Sequence, residues 1–301
     1  MTEKILVNKL TKYYGSFKAV SNVSFKVNEG EVFGLIGPNG AGKSTTMRSM
    51  LNFIFPTSGN ITINGLDSKA DYLKIRSLIG YLPGEFTTYE NMTGSEFLKH
   101  MLYLRKVPEK EKYAIELSKK FDLDLNKKAK NLSKGNKQKV GIIQAFCHEP
   151  EILILDEPTS GLDPLKQQVF DELILEFKEK GKTIFISSHV LPEVEMLCDR
   201  IAIIKDGKIV TENTMSKLKS MAMNRFEVIF KNEIKERSFG KSIGVKNIIQ
   251  SGEKYIFDVE GDVNNFIKII TENKVTSFKT IEPDLEEIFL SFYKKGKKNV
   301  K

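Results

Sequence analysis

A glycine-rich segment at residues 37–44 has the pattern G-x-x-x-x-G-K-[ST], which is typical of loops that bind phosphate groups. Its members are Gly37, Pro38, Asn39, Gly40, Ala41, Gly42, Lys43 and Ser44. The glycines permit backbone angles that turn successive N–H groups toward one concavity, where they hold phosphate oxygens. We expect Lys43 to contact the β- and γ-phosphates and the Ser44 hydroxyl to bind Mg²⁺. The segment therefore predicts a nucleotide site.

Two carboxylates follow an apolar run farther along the chain. The run Ile152–Leu155 has the length of a buried strand, and Asp156 and Glu157 come directly after it. In open α/β sheets ligands bind at the carboxyl ends of the strands, so we expect these acids beside the nucleotide. Asp156 suits the Mg²⁺ shell through water, and Glu157 suits polarisation of an attacking water. His189 ends the next strand at the same edge, which makes it a candidate contact of the γ-phosphate.

A third segment, residues 131–139, predicts a second site for an anion. Ser133 can cap a helix that runs to about Cys147, and the free N–H groups and dipole of a helix start attract anions. Three lysines add positive charge around it, namely Lys134, Lys137 and Lys139. Without the other motifs, a capped helix with a solvated basic first turn would be the simpler interpretation. Beside a phosphate loop, the segment predicts a phosphate that is brought from elsewhere.

Apolar runs that alternate with helical patterns must position these residues. The glycine-rich segment lies between a buried strand, Val32–Ile36, and a helical pattern from Lys43 to about Phe53. Further strands are expected at Ile5–Val7, Val20–Val27, Ile61–Ile63, Leu78–Leu82, Thr183–Ile186 and Ile201–Ile204. Buried strands that alternate with helices indicate a mainly parallel sheet covered by helices, which is the α/β class.

The length of 301 residues fits one large domain and one small domain. Residues 1–218 are expected to form the large domain, with a helical insertion at about 85–147, and residues 219–301 the small α/β domain with a basic tail. The expected elements of the small domain are strands at Phe226–Phe230 and Tyr255–Val259, a helix from about Asp262 to Thr271, and a terminal helix that begins near Pro283.

The net charge of +8 is compatible with nucleic acid, an anionic membrane surface or a phosphate ligand as partner. Residues 105–139 hold 12 Lys and Arg against 5 Asp and Glu, so most of the excess lies in the helical insertion. A solvated helix face explains most of it, with a smaller role in attracting a nucleotide or anionic headgroups. The charge therefore does not argue for DNA or RNA.

The sequence also predicts where the chain resides. No apolar run approaches the roughly 18 residues that span a bilayer, and no signal-peptide core precedes the first strand. The two cysteines, Cys147 and Cys198, lie in apolar contexts, which favours buried free thiols in a reducing cytosol. We therefore expect a cytosolic chain, or one that is peripheral on the cytosolic face of a membrane.

Taken together and in this order, the motifs resemble those of the ATP-binding cassette (ABC) ATPases, specifically the nucleotide-binding subunits of exporters with separate membrane subunits. The resemblance covers roughly residues 3–215. Gly37–Thr45 is similar to the Walker A motif, and Ile152–Glu157 is similar to Walker B. Leu132–Gln138 resembles the family signature, and Pro158–Asp163 resembles the D-loop. Ser188-His189 is similar to the switch histidine, and Tyr14 is similar to the aromatic residue that stacks on adenine. The end of the chain, from Glu282, resembles more weakly the accessory domain of ABC-2-type exporter ATPases.

This resemblance implies a P-loop core of ABC type with an antiparallel β subdomain, a helical subdomain and a small C-terminal accessory domain. It implies an ATPase that uses ATP and Mg²⁺, with Thr45 and Tyr14 as further nucleotide contacts. Two copies are expected to form a head-to-tail dimer, in which Ser133 and Gly135 of one copy contact the ATP on the Walker A motif of the other. Dimer closure and reopening would switch a membrane permease on the cytoplasmic face of the membrane.

The sequence departs from the family after the strand Leu78–Leu82, where a glutamine that helps to bind Mg²⁺ is usual. Here the run is Tyr81-Leu82-Pro83-Gly84-Glu85, so we hypothesise that Glu85 approaches the Mg²⁺ shell; a solvated acid is the simpler alternative. We expect the segment Gly84–Leu98, with the aromatics Phe86, Tyr89 and Phe97, to contact the permease, although core packing of these aromatics is equally compatible.

A different class of function is a soluble ABC ATPase that acts on nucleic acid or ribosomes. Ribosome-acting members usually carry two cassettes in one chain, whereas this chain has one. Chromosome-organising and repair members carry a long coiled coil before the signature, for which the interval between Lys43 and Ser133 has no room. A regulatory, inactive ATPase is disfavoured because Glu157 is present. Transport is therefore the leading hypothesis, with no nucleic acid expected as partner.

Overall fold

The computed structural model describes residues 2–221, 224–231, 244–260, 263–281 and 289. The chain forms two compact units, Met1–Met215 and Ser216–Lys301. The terminal helix expected near Pro283 and the basic tail lie outside the described residues, except for Phe289. Within the described ranges, no helix combines the length and apolar character that crossing a membrane requires.

The centre of the first unit is a six-stranded sheet. Its strands, from one edge to the other, are β10 (Lys208–Thr214), β9 (Arg200–Lys205), β3 (Val32–Ile36), β8 (Thr183–Ser188), β7 (Ile152–Asp156) and β6 (Ile79–Leu82). All neighbouring pairs are parallel except β10 and β9. Every residue of β3, β7 and β8 is buried, as expected for strands that are covered on both faces. The α/β class predicted from the apolar runs is therefore confirmed.

A second, antiparallel sheet packs in the same core. It consists of β2 (Phe17–Asn28), β1 (Glu3–Tyr14), β4 (Ser58–Ile63) and β5 (Leu66–Asp67) in that order. The ring of its Phe25 stacks on those of Phe33 and Phe185 in the central sheet, with centroids 5.5 Å apart in both pairs. Stacked buried rings contribute roughly 0.5–1.5 kcal/mol each beyond the area that they bury. This contact holds β2 against the central sheet.

Seven helices of the first unit connect these strands among the described residues. They are α1 (Lys43–Met50), α2 (Tyr72–Leu78), α3 (Gly94–Leu104), α4 (Glu111–Lys120), α5 (Lys134–Phe146), α6 (Pro164–Glu179) and α7 (Leu191–Leu197). The expected helical stretch contains α3, α4 and α5. Thr93 and Glu96 form a reciprocal capping box at the start of α3, and Ser133 caps α5 as predicted.

The second unit contains an antiparallel four-stranded sheet and a helix. After α8 (Met215–Met221), its elements are β11 (Asn224–Phe230), β12 (Val245–Ser251), β13 (Lys254–Val259), α9 (Val263–Thr271) and β14 (Val275–Ile281), with the strand order β12-β13-β11-β14. Phe226, Phe257 and Phe266 lie in its core. The sequence did not predict the edge strands β12 and β14, because most of their residues are exposed and show no apolar alternation.

Candidate functional site

Three of the predicted segments converge on one edge of the central sheet. Strands β3, β8 and β7 are parallel neighbours, so their carboxyl ends lie side by side. The glycine-rich loop follows β3, and His189 follows β8. Asp156 is the last residue of β7, and Glu157 comes directly after it. The topology of the sheet thus brings together three segments that are far apart in the sequence.

The glycines of the loop are required by its conformation and by close backbone contacts. Gly40 and Gly42 have φ angles of 80° and 106°, which side-chain-bearing residues rarely adopt. A Cβ atom at Gly37 would lie 2.3 Å from the carbonyl oxygen of Ile204, and one at Gly42 would lie 2.9 Å from that of Ala19. Replacement of either glycine would displace the loop from the sheet.

Lys43, Glu157 and His189 form a connected chain of charged and polar contacts. Lys43 is 6% exposed, and its Nζ donates to the carbonyl oxygen of Gly37 at 2.7 Å. The same Nζ lies 3.0 Å from Oε1 of Glu157, whose Oε2 lies 2.6 Å from Nδ1 of His189. The carboxylate of Glu157 therefore lies between the lysine of the phosphate loop and the histidine that follows β8.

Asp156 lies deeper, beneath the loop. It is 2% exposed, and its Oδ1 accepts a hydrogen bond from the Ser187 hydroxyl at 2.5 Å. A Cβ atom at Gly84 would lie 3.3 Å from the other oxygen, Oδ2, so backbone approaches the carboxylate closely there. Glu85 next to it is exposed. A carboxylate and the Ser44 hydroxyl are hard oxygen donors of the kind that Mg²⁺ accepts alongside phosphate and water.

A cavity of about 290 Å³ lies above the loop. Its lining includes Tyr14, Asn39, Lys43, Ser44, Thr45 and Glu157 from the predicted set, and also Phe17 and Ala19. Tyr14 and Phe17 pair across the tip of the β1–β2 hairpin and are 47% and 66% exposed. Phe17 was not predicted from the sequence, although an aromatic residue just beyond the Gly15 turn is a recognisable signal.

Ser133 and Gly135 do not line this cavity. Ser133 is exposed at the start of α5, where its Oγ accepts from the backbone N–H of Asn136 at 3.2 Å. A Cβ atom at Gly135 would lie 2.5 Å from the carbonyl oxygen of Gly161, so the first turn of α5 packs directly on the loop that follows Glu157. The segment predicted to bind a second anion is therefore separate from this cavity within one chain.

Two further carboxylates lie behind the site, and neither was predicted from the sequence. Glu193 on α7 is 9% exposed, and its Oε2 accepts from the Ser188 hydroxyl at 2.8 Å. Burial raises the pKa of Glu193, and hydrogen bonds from Thr159 and Ser188 oppose that rise. On α6, burial and the charges of Glu193 and Glu172 raise the pKa of Asp171 to about 6.

The raised pKa of Asp171 predicts a pH-dependent gain in stability for Asp171→Asn. The folded chain binds a proton on Asp171 more tightly than the unfolded chain does. The ionised carboxylate therefore lowers the free energy of unfolding progressively as the pH rises from about 4 to about 6. Removing its charge is expected to raise Tm by about 1–3 °C at pH 8. Near pH 4 the substitution should have no effect, because the wild-type group is then protonated. Thermal unfolding at both pH values tests this, and an equal gain at pH 4 would contradict it.

An apolar groove of about 600 Å³ runs between α2, β6 and α3. Its lining includes the aromatics of the segment 84–98 together with Phe53, Tyr81 and Met101. Phe86 and Phe97 make an edge-to-face contact with ring centroids 5.8 Å apart, whereas Tyr89 is 59% exposed. Phe97 is thus a core residue and Tyr89 presents its ring to the surface.

Comparison with known proteins gives consistent matches. The family model of the ABC transporter matches residues 20–160. An uncharacterized ABC transporter ATP-binding protein of Methanocaldococcus jannaschii is 42% identical over 219 residues, which are 70% of this chain and 77% of that protein. The bacitracin transport ATP-binding protein BcrA of Bacillus licheniformis is 35% identical over 96% of this chain and 97% of its own length. A dimeric ATP-binding cassette solved in a post-hydrolysis state with ADP and Pi matches with a TM-score of 0.62 and 26% identity, over 70% of this chain and 98% of that one.

Proposed function

The chain belongs to the ATP-binding proteins of ABC transporters and is an ATPase of that family, and from this premise we propose that it powers export through a separate membrane permease. Residues 1–218 form the cassette in this proposal, with the helical subdomain at about 85–147, and residues 219–301 form an accessory domain. The assembly works at the cytoplasmic face of the cell membrane. The relatives give no support to the alternative of a soluble ATPase that acts on nucleic acid.

In the proposed site, the adenine of ATP stacks on Tyr14 and Phe17, and the phosphates lie in the loop of residues 37–45. Lys43 already reaches into that loop, where its Nζ lies 2.7 Å from the carbonyl oxygen of Gly37. Ser44 and Asp156 are the residues that would hold Mg²⁺, which supplies charge neutralisation of the phosphates. The aromatic pair supports this orientation because it flanks the cavity at the hairpin tip.

Glu157 is the proposed residue that orients and polarises the attacking water, and His189 contacts the γ-phosphate. The Glu157 side chain is partly exposed toward the cavity, and its Oε2 lies 2.6 Å from Nδ1 of His189. A γ-phosphate in the loop competes with Glu157 for the lysine, because Lys43 is within 3.0 Å of Oε1. Glu157 then becomes available to the water. This arrangement corresponds to positioning with electrostatic stabilisation, which accounts for most of the catalysis in phosphoryl transfer.

The observation that carries the proposal is the position of Ser133 and Gly135 outside the chain's own nucleotide cavity. A capped helix start with Lys134 and Lys137 close to it suits a phosphate, whereas Lys139 is buried farther along α5. An ATP on a second copy can supply that phosphate. We therefore infer a head-to-tail homodimer with two ATP molecules between its subunits. The solved cassette with ADP and Pi, which is itself a dimer, supports this inference.

The apolar groove, with Tyr89 at its surface, is the proposed contact for the permease. Exposed aromatic rings beside a groove are typical of protein interfaces. The substrate is chosen by the permease and is not encoded in the groove. The bacitracin transport protein BcrA aligns with this chain along nearly its whole length. This alignment supports a transport system of the same organisation.

Replacing Tyr89 with alanine tests the proposed contact. The permease whose reading frame adjoins this one would be co-expressed with the tagged chain, extracted in detergent and recovered through the tag. Tyr89→Ala should lower the recovered permease about tenfold, the loss of a modest interface hot spot. Tyr103→Ala is the matched control, since Tyr103 is 74% exposed on α3 outside the segment 84–98. Equal recovery with both variants would contradict the assignment, and a neighbouring frame without a six-helix permease would contradict transport.

A further inference from the structure

We propose that Gln138 is a positioning residue for Glu157, and that through it α5 controls where the Glu157 carboxylate lies. The side chain of Gln138 makes contact with the backbone immediately after Glu157, whereas the start of the same helix carries Ser133 and Gly135. The inference rests on the proposed function, since it assumes that Glu157 orients the attacking water.

Glu157 has a backbone conformation that its surroundings must maintain. Its φ angle is 49°, in the left-handed region that residues with side chains adopt at a cost. On its amino side, the N–H of Glu157 donates to the carbonyl oxygen of Ser187 at 3.1 Å, and the Ser187 hydroxyl is 3.2 Å away. That side is therefore fixed by β8.

On the carboxyl side, the chain makes a turn that Gln138 holds. The N–H of Ser160 donates to the carbonyl oxygen of Glu157 at 3.1 Å, which closes the turn. The carbonyl oxygen of Pro158, inside that turn, accepts from Nε2 of Gln138 at 2.9 Å, and Nε2 is 3.5 Å from the oxygen of Glu157. Gln138 is 4% exposed, so water has no ready access to replace its donor.

The same face of α5 touches the turn at a second point. Gly135 lies one helical turn before Gln138, and positions three residues apart share a helix face. A Cβ atom at Gly135 would lie 2.5 Å from the carbonyl oxygen of Gly161. The segment 158–161 is therefore held by α5 at both Gln138 and Gly135. A displacement of α5 when Ser133 and Gly135 contact the partner's nucleotide must move this segment, and with it Glu157.

The test measures kcat and nucleotide affinity separately in two variants. Gln138→Met keeps the approximate volume without the donor, and Gln138→Glu keeps the shape while replacing the donor with an acceptor. Each is expected to lower kcat about 100-fold, the typical effect of misplacing a reacting group by 1 Å. The Kd of a fluorescent ATP analogue should stay within about twofold, because neither variant changes the nucleotide cavity. Gln144→Met is the matched control on the same helix, since Gln144 is also buried, at 7% exposure.

A second measurement separates positioning from damage to the dimer. In a Glu157→Gln background, ATP-dependent dimerisation should persist after Gln138→Met, since Ser133 and Gly135 are unchanged. Loss of that dimer, a kcat within about threefold of wild type, or an equal fall in kcat for Gln144→Met would each overturn the proposal. If Glu157→Gln alone left hydrolysis intact, the proposed role of Glu157 would fail instead, so the two failures are distinguishable.

Discussion

Replacing Glu157 with glutamine is expected to slow ATP hydrolysis by about 10²–10⁴-fold while ATP still binds. Glutamine keeps the shape of the side chain and can still contact Lys43 and His189, but it cannot take a proton from the attacking water. The contacts of the phosphate loop are unchanged, so the nucleotide should bind at least as tightly as in the wild type. Phosphate release and binding of a fluorescent ATP analogue measure the two effects separately.

The same variant should accumulate an ATP-bound dimer, because closure no longer ends in hydrolysis. Gel filtration with Mg²⁺ and ATP would show about twice the monomer mass, and ADP would not. Glu179→Gln is a suitable control, since Glu179 is an exposed carboxylate at the end of α6. Unchanged hydrolysis in Glu157→Gln would contradict the assignment, and a monomer in the presence of ATP would contradict the sandwich mechanism.

The edge of the sheet that carries the candidate site could be predicted from the sequence because its signals are local. The glycine-rich loop adjoins its own strand and helix, and the apolar run before Asp156 identifies a buried strand without reference to the rest of the chain. Since ligands bind at the carboxyl ends of parallel strands, these local patterns were enough to bring Lys43, Glu157 and His189 to one place. The structure adds the distances that connect them.

The contacts that hold these residues in position could not be predicted, because they join segments that are far apart and carry no motif. Ser187 donates to Asp156 across 31 positions of the sequence, and Gln138 donates to Pro158 across 20. The left-handed conformation of Glu157 could not be predicted either, since residues other than glycine uncommonly adopt it and no local pattern marks it. In the second unit, β14 was not predicted from the sequence. It is an edge strand whose residues are mostly exposed, so its sequence shows no apolar alternation.

The contact between α5 and the loop after Glu157 also makes Gly135→Ala a severe substitution. The added Cβ would lie 2.5 Å from the carbonyl oxygen of Gly161, a backbone atom that cannot rotate away. Either the start of α5 or the loop must shift. In both cases the backbone N–H groups at the start of α5, which are proposed to contact the partner's γ-phosphate, are misplaced. We expect ATP-dependent dimerisation to be lost and hydrolysis to fall by at least about 100-fold.

Nucleotide binding by the single subunit should survive Gly135→Ala, because Gly135 does not line the nucleotide cavity. Gly181→Ala is the control for replacing a glycine with alanine. Gly181 has a φ of 75°, and no atom lies within 4 Å of an added Cβ, so this variant introduces backbone strain without a steric clash. It should lower Tm slightly and leave the dimer intact. If Gly135→Ala dimerised with ATP as the wild type does, the second anion site would not serve the partner's nucleotide, and Lys134 and Lys137 near it would be no more than a solvated helix face.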